Sequence, residues 1–362
     1  MNQLSLLGLD DGHYAIKFCA GKDKFFTVRS SIMAGREVVS DEDGRPNDEL
    51  VFYTENNEYF TITAYHGLAD KNIDTRDKDF AVSSANRALC YHALSRAHDA
   101  GLITNKELFV VSGLPVNRFY NEKGVLDNDF ILLKRNSLLT PINNIAGVDL
   151  PVVAQHQIVS EAVASFFDAA YDFDGTPNEQ FLEAASYAPV AIVDVGGKTL
   201  DVAVVREGGN GLYFSRSGTF DTGGALYFYD ALNDTLMKYL QEQYPDVNVT
   251  ALSKDRIDQA VKTGKLHYYT LHDVSDIVQA ELLAFADRVR NFVQPKLGNG
   301  ADYSSILFVG GGSNLLYNHV ERVFPNIPKQ AIQITEPTED ANKNSSFSNA
   351  RGMYKAALLA SK

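Results

Sequence analysis

The chain has 362 residues, enough for two domains that each bury a core of their own. A hydrophobic content of 45% with 22% charged residues is that of a soluble globular protein. The formal net charge of −13 argues against a nucleic-acid surface made by this chain alone, because backbone affinity comes from neutralising phosphates. Lys and Arg form no run, and no apolar stretch approaches the roughly 20 residues that span a bilayer. The start, Met1 to Leu7, lacks the basic segment of a signal peptide, and Cys19 and Cys90 give no disulfide framework. A cytoplasmic protein is expected.

Leu4–Asp10, Tyr14–Ala20 and Lys24–Ser31 read as three consecutive strands with turns at Gly12 and Gly21. The polar stretch from Gly35 to Glu49 reads as a loop. Leu50–Tyr53 and Glu58–Thr63 flank Asn56 and Asn57, a hairpin turn. Ala81 to Ala100 has helical spacing and ends at Gly101, a C-cap. Glu107–Ser112 is a buried strand, followed by further strands at Ile131–Leu133 and Ser137–Ile145. Leu150–Ala154 is a short strand that opens into a helix over Ile158–Tyr171, and Asp172 to Asn178 is a surface loop. Val190–Val195 and Leu200–Val205 are strands joined at Gly196 and Gly197. Leu212–Phe220 leads through Gly223 and Gly224 into a helix from about Leu226 to Tyr239. Lys254–Thr263, Ser275–Leu297 and Ala350–Leu359 are helices, the last after a polar loop from Thr335 to Ser348.

The chemistry gathers at three glycine turns. Val190 to Val195 carries one acid, Asp194, to a strand end where Gly196 and Gly197 follow. An acid beside bare backbone N–H groups suits a phosphate chain with its Mg²⁺: amides hold the oxygens while the acid holds the metal through water. An ordinary hairpin with an acid at its mouth is the alternative. A second copy shifts the balance, since laying Asp10 on Asp194 puts Gly12 on Gly196 and strand on strand. The third turn, Gly310, Gly311 and Gly312, again follows an apolar strand. Three such turns in this order suggest two related α/β halves facing each other across a nucleotide.

Asp10, Gly12 and Lys17, then Asp194, Gly196, Gly197 and Thr199, then Gly310 to Gly312, resemble the two phosphate motifs and the adenosine motif of the actin/Hsp70/sugar-kinase superfamily. Within it, Asp10 to Lys17, Gly113 to Pro115, Asp194 to Asp201 and Asn349 to Tyr354 resemble the ParM/StbA plasmid-segregation actins. The resemblance implies an α/β actin-like ATPase fold of two ribonuclease H-like domains, residues 1–171 with a small insertion around 32–80, and residues 172–362. It implies Asp10 and Asp194 holding hydrated Mg²⁺, Asp11, Gly12, His13, Lys17, Gly196, Gly197, Lys198 and Thr199 around the phosphates, and Gly223, Gly224, Gly310, Gly311, Gly312 and Asn314 around the nucleoside. Asp255 and Arg256 fall near where relatives contact that nucleoside. The water-orienting residue is expected at the end of the strand Leu150–Ala154, which is Gln155. Relatives in plasmid segregation commonly have glutamate there, whereas a glutamine orients water without taking its proton.

The implied function is an ATPase that polymerises with ATP, or with GTP as the alternative, and moves plasmid DNA. Its partners would be its own copies and a DNA-binding adaptor on a centromere-like site, without direct nucleic-acid or membrane contact. Another actin-like cytoskeletal protein of cell shape or division, or a small-molecule kinase of the same superfamily, is the alternative. An Hsp70-like chaperone would need a substrate-binding region after the ATPase, and the sequence stops at Lys362.

Overall fold

The structure is a computed structural model that describes residues 4–38, 47–63, 72–121, 125–208, 211–249, 252–328 and 331–362, without the side chains of residues 207, 208, 211 and 213–217. The first lobe opens with β1 (Ser5–Asp11), β2 (Ala15–Cys19) and β3 (Phe25–Arg29), then β4 (Ile32–Ala34), β5 (Val51–Tyr53) and β6 (Tyr59–Ile62). Helix α1 (Ser84–Asp99) follows, then β7 (Glu107–Leu114), α2 (Val116–Phe119), α3 (Asn128–Leu139), β8 (Asn143–Asn144), β9 (Val152–Ser160) and α4 (Glu161–Ala170). The main sheet has the order β3-β2-β1-β7-β9, and a smaller sheet, β4-β6-β5-β8, sits beside it.

The second lobe begins with α5 (Glu179–Tyr187), β10 (Val190–Val195), β11 (Leu200–Gly208), β12 (Gly211–Phe220) and α6 (Ala225–Gln243). It continues with α7 (Lys254–Thr263), the hairpin β13 (Lys265–Tyr268) and β14 (Thr270–Asp273), and α8 (Ser275–Leu297). Next come β15 (Ser305–Val309), α9 (Ser313–Leu316), α10 (Val320–Val323), β16 (Ile332–Gln333) and α11 (Ser348–Ala360). Its main sheet, β12-β11-β10-β15-β16, repeats the plan of the first: an antiparallel three-strand meander whose first strand pairs in parallel with a later strand, which pairs in parallel with a still later one. The repeat seen in the glycine turns is therefore a repeat of whole sheets. All six residues of β10 are buried, as a continuous apolar run in a central strand requires.

Two helices, α11 and α4, join the lobes. Met353, Ala356 and Ala357 of α11 form a core with Phe109, Val111 and Val159 of the first sheet. Ala162, Phe166 and Ala170 of α4 join Val190, Ile192 and Val205 of the second. The last helix thus lies on the first sheet, and α4 lies between the two sheets, with Ala164 in the core of the first. The two helices cross at Gly352, where a Cβ would overlap the carbonyl of Ala164.

Most expected elements are present, but two segments differ. Ile131–Leu133 and Ser137–Ile145 are not strands; Asp127 caps α3 by accepting from the Phe130 amide at 3.1 Å, and only Asn143 and Asn144 pair, with β5. A short apolar run does not tell helix from strand, and here the cap decides. The strand expected to end at Ala154 continues to Ser160, because β9 pairs in parallel with β7 along its length, up to Leu114 against Ser160. Helix α5 and the hairpin β13–β14 carry no reading from the sequence. The polar stretch Gly35 to Glu49 and the insertion around 32–80 fall partly outside the described residues. Among the described residues, no helix is long and apolar enough to cross a membrane.

Candidate functional site

The central strands β1 and β10 end at one cleft, and each delivers an acid followed by a glycine turn. The cavity there has a volume of about 360 Å³. It is lined by Asp10, Asp11, Gly12, His13 and Lys17 from one lobe and by Asp194, Gly196, Gly197, Lys198, Thr199, Gly310, Gly311, Gly312 and Asn314 from the other. Of the residues expected in the site, Gly223, Gly224 and Gln155 are not among those lining it.

Gly223 donates to the Phe220 carbonyl at 3.0 Å, whereas Gly224 packs its backbone on the second glycine turn. The amides of Gly224, Ala225 and Leu226 donate to the carbonyls of Lys198, Gly196 and Gly197 at 2.9, 2.9 and 2.8 Å. The first turn of α6 therefore spends its free N–H groups on the second phosphate-type turn, so it braces that turn rather than binding an anion. A Cβ on Gly224 would overlap the backbone of Gly196, Gly197 and Lys198, so only glycine allows this approach.

Gln155 lies within β9, exposed and paired with Phe109, short of the strand end. Because β9 runs to Ser160, the residue that opens α4 at the cleft is Glu161, and it lines the cavity. The neighbouring His156 is buried between Ser112 Oγ at 2.9 Å and the Arg135 carbonyl at 3.0 Å. Burial pushes it down to about 3, so it is a neutral structural group. The sequence signal that points to Glu161 is the β-branched run Ile158 and Val159, which prolongs the strand past Gln155.

The remaining expected residues divide by partner. Lys17 reaches Asp10 at 3.3 Å. Asp11 is turned away to a buried ion pair with Lys134 and a bond from Asn86 at 2.9 Å, so its carboxylate is already matched. His13 bonds through Nδ1 to the Thr75 carbonyl, and Thr75 Oγ1 donates back to the His13 carbonyl at 2.8 Å. Lys198 Nζ crosses to the first lobe and donates to the Arg76 carbonyl at 2.5 Å. Asn314 Nδ2 donates to Asn344 Oδ1 at 3.3 Å. Asp255 pairs with Arg29 at 3.1 Å on the surface, and Arg256 stands 5.9 Å from the Tyr268 ring centre, neither lining the cleft.

Electrostatically the cleft is acidic. Burial lifts Asp194 to about 6; an Asn349 hydrogen bond opposes this, and Asp10 adds to it. Burial also lifts Asp201 to about 7, against hydrogen bonding from the Thr219 hydroxyl and with Asp194 adding. Glu161 is raised well above the usual carboxylate range by burial, then by Asp194, Asp10 and Asp201. Asn349 Nδ2 donates to Asp194 Oδ2 at 2.8 Å, while Asp194 Oδ1 is buried without a partner. Among the described residues, no three His, Cys, Asp or Glu side chains are grouped to hold a metal ion directly. An orphaned carboxylate oxygen among mutually repelling acids fits a hydrated divalent cation held through its waters, the mode that Mg²⁺ favours.

Two family descriptions match, one per lobe: "Actin like proteins N terminal domain" over residues 8–139 and "Archaeal actin homologue MreB-like, C-terminal" over residues 192–322. No curated protein matches the chain. Among solved structures, a 15-stranded ParM filament from Clostridium botulinum is 18% identical, with a TM-score of 0.70, covering 98% of this chain and 100% of that one. A crystallised archaeal actin homologue is 16% identical with a TM-score of 0.71, covering 98% and 100%. Its complex with ADP gives 0.67 at 16% identity over 98% and 100%. Over both of its lobes, the chain has the actin-like fold.

Proposed function

We propose that the chain binds ATP with Mg²⁺ between its lobes, hydrolyses it, and assembles into filaments that segregate plasmid DNA. The observation that carries this reading is the meeting of Asp10, Asp194 and Glu161 at one cleft, each delivered by an equivalent or adjoining element of a duplicated sheet. Support comes from the likeness to a ParM filament and to an archaeal actin homologue whose ADP complex has the same fold.

Phosphoryl transfer asks the protein mainly for placement and charge. The amides around Gly12 and Gly196–Gly197 cradle the phosphates, and Lys17 supplies a cation beside Asp10. Gly310, Gly311 and Gly312 present backbone to the nucleoside, with Asn314 and Phe347 beside them on the cleft wall. Asp10 and Asp194 would hold Mg²⁺ through its waters, and the ion would supply charge neutralisation at the phosphates. Glu161 takes the task expected of Gln155: its carboxyl orients the attacking water and can accept its proton when ionised. With a net charge of −13, contact with DNA passes through a basic adaptor rather than through this chain. The two free cysteines are buried, which fits a reducing compartment.

The test is ATP-dependent assembly of the purified protein, followed by light scattering, pelleting and negative-stain microscopy with ATP, GTP and ADP, with and without Mg²⁺. Filaments formed with ATP and Mg²⁺ and lost after hydrolysis support the reading. Nucleotide-insensitive pelleting contradicts it, and phosphate transfer to a small hydroxyl compound without assembly would favour the kinase.

A further inference from the structure

The stretch from Asn349 to Tyr354 opens α11 where that helix crosses between the lobes. Asn349, Arg351 and Met353 are buried there. Arg351 explains how the helix is held. Its Nε reaches Asp168 of α4 at 3.0 Å, and its Nη1 donates to the carbonyls of Ala341 and Asn344 at 2.8 and 2.7 Å. Lys355 Nζ adds a second bond to Asp168 at 2.8 Å. These bonds fix the rotation of α11 against α4, and with it the direction of the Asn349 side chain.

Asn349 is 6% exposed and spans two elements of the second lobe's packing. Ser165 Oγ of α4 donates to its Oδ1 at 2.7 Å, and its Nδ2 donates to Asp194 Oδ2 at 2.8 Å. A hydroxyl donor on one side and a carboxylate on the other leave the amide one satisfied orientation. Ser165 is itself buried, so this arrangement excludes water as a substitute partner. The consequence falls on Asp194: one oxygen is held, while Oδ1 beside Gly310 has no partner.

We propose that Asn349 is a positioning residue for Asp194: its amide, oriented by Ser165, fixes one carboxylate oxygen so that the other receives a water of the bound cation. This rests on the nucleotide reading above. The bond also ties the acid of the second lobe to a helix that packs on the first sheet, so the carboxylate is set only when α11 and α4 are docked. Outer partners of this kind typically change metal affinity or activity by about 10–100-fold when removed.

The test uses Asn349→Ala and Ser165→Ala in the full-length chain. A fluorescent ATP analogue is titrated with and without Mg²⁺, and apparent Mg²⁺ dependence of turnover is measured alongside. The expected result is that the tightening of nucleotide by Mg²⁺ shrinks by about tenfold in Asn349→Ala and less in Ser165→Ala, while Mg²⁺-free affinity stays as in the wild type. Ser165→Ala keeps the question open to measurement if Asn349→Ala fails to fold. If Mg²⁺-free affinity and melting temperature fall while the Mg²⁺ effect is unchanged, Asn349 is a packing residue and the proposal is overturned. Wild-type protein that binds no nucleotide overturns the nucleotide reading and this proposal with it. Wild-type binding with unaltered Mg²⁺ tightening in both variants overturns this proposal alone.

Discussion

Asp194 on β10 stands directly opposite Asp201 on β11 in the antiparallel register, and both side chains are buried. Like charges facing each other across a sheet destabilise it, so at least one of the pair prefers a proton when no cation is bound. Their positions, about 6 for Asp194 and about 7 for Asp201, lie above the ordinary carboxylate value of 3.8. A raised folded-state value means that the folded chain binds protons more tightly than the unfolded one. The stabilisation is complete below the ordinary carboxylate range and is lost as pH rises through these two values.

The nucleotide-free protein should therefore melt at progressively lower temperature between about pH 5 and pH 7.5. Asp201→Asn, which keeps the Thr219 contact without the charge, should flatten that slope and stabilise the protein near neutral pH, by on the order of a few kcal/mol at most. Melts of both proteins across the range check this. An equal slope in the variant would show that Asp201 keeps its charge throughout.

Glu161→Ala should lower ATP turnover by about 10²-fold or more through loss of water positioning, while binding and assembly persist. Filaments of this variant should outlast those of the wild type. Gln155→Ala should leave turnover and filament lifetime at wild-type values, because the side chain is exposed on β9 and away from the cleft. Phosphate release measured beside light-scattering decay separates the two. Slowed turnover in Gln155→Ala with normal turnover in Glu161→Ala would reverse the assignment.

The duplicated turns were legible because their signal is local: an apolar strand, an acid and a glycine, twice, with the third turn after another apolar strand. What the sequence does not carry is where a strand stops when its partner decides. The run from Val152 to Ser160 alternates too irregularly to place its end, and the pairing with β7 keeps Gln155 inside the strand and leaves Glu161 at the cleft. Gly224 shows the same limit. A glycine pair before a helix reads equally as a ligand contact or as a close backbone approach, and only the hydrogen bonds to Gly196, Gly197 and Lys198 distinguish them. The packing of α11 on the first sheet and of α4 between both sheets leaves no local trace at all, since each is simply an apolar-faced helix in sequence.

Gly224→Ala tests the bracing role. Its added methyl meets backbone on three sides, so the variant should lose about 1–3 kcal/mol of stability and displace the Gly196–Gly197 turn. Nucleotide affinity should fall with it. Denaturant melts together with nucleotide titration check the pair of effects; normal stability and affinity would mean that the turn tolerates the shift.

Asp194→Ala removes an acid proposed to hold the cation, one whose Oδ1 is buried without a partner. Hydrolysis should fall by about 10²–10³-fold, the size expected from one essential electrostatic contact. Nucleotide affinity should fall less, because the turn amides remain. Single-turnover hydrolysis and equilibrium binding on the purified variant check this, and undiminished hydrolysis would place the cation elsewhere.

Binding of ATP with Mg²⁺ in the cleft is proposed to control assembly. The most direct measurement is light scattering of purified protein at micromolar concentration after ATP addition, with Mg²⁺ present or chelated and phosphate release recorded in the same cuvette. The expected result is a rise that requires both ATP and Mg²⁺, phosphate release that follows assembly, and a decay once ATP is spent. Scattering that is absent, or that appears equally without ATP or without Mg²⁺, would contradict it.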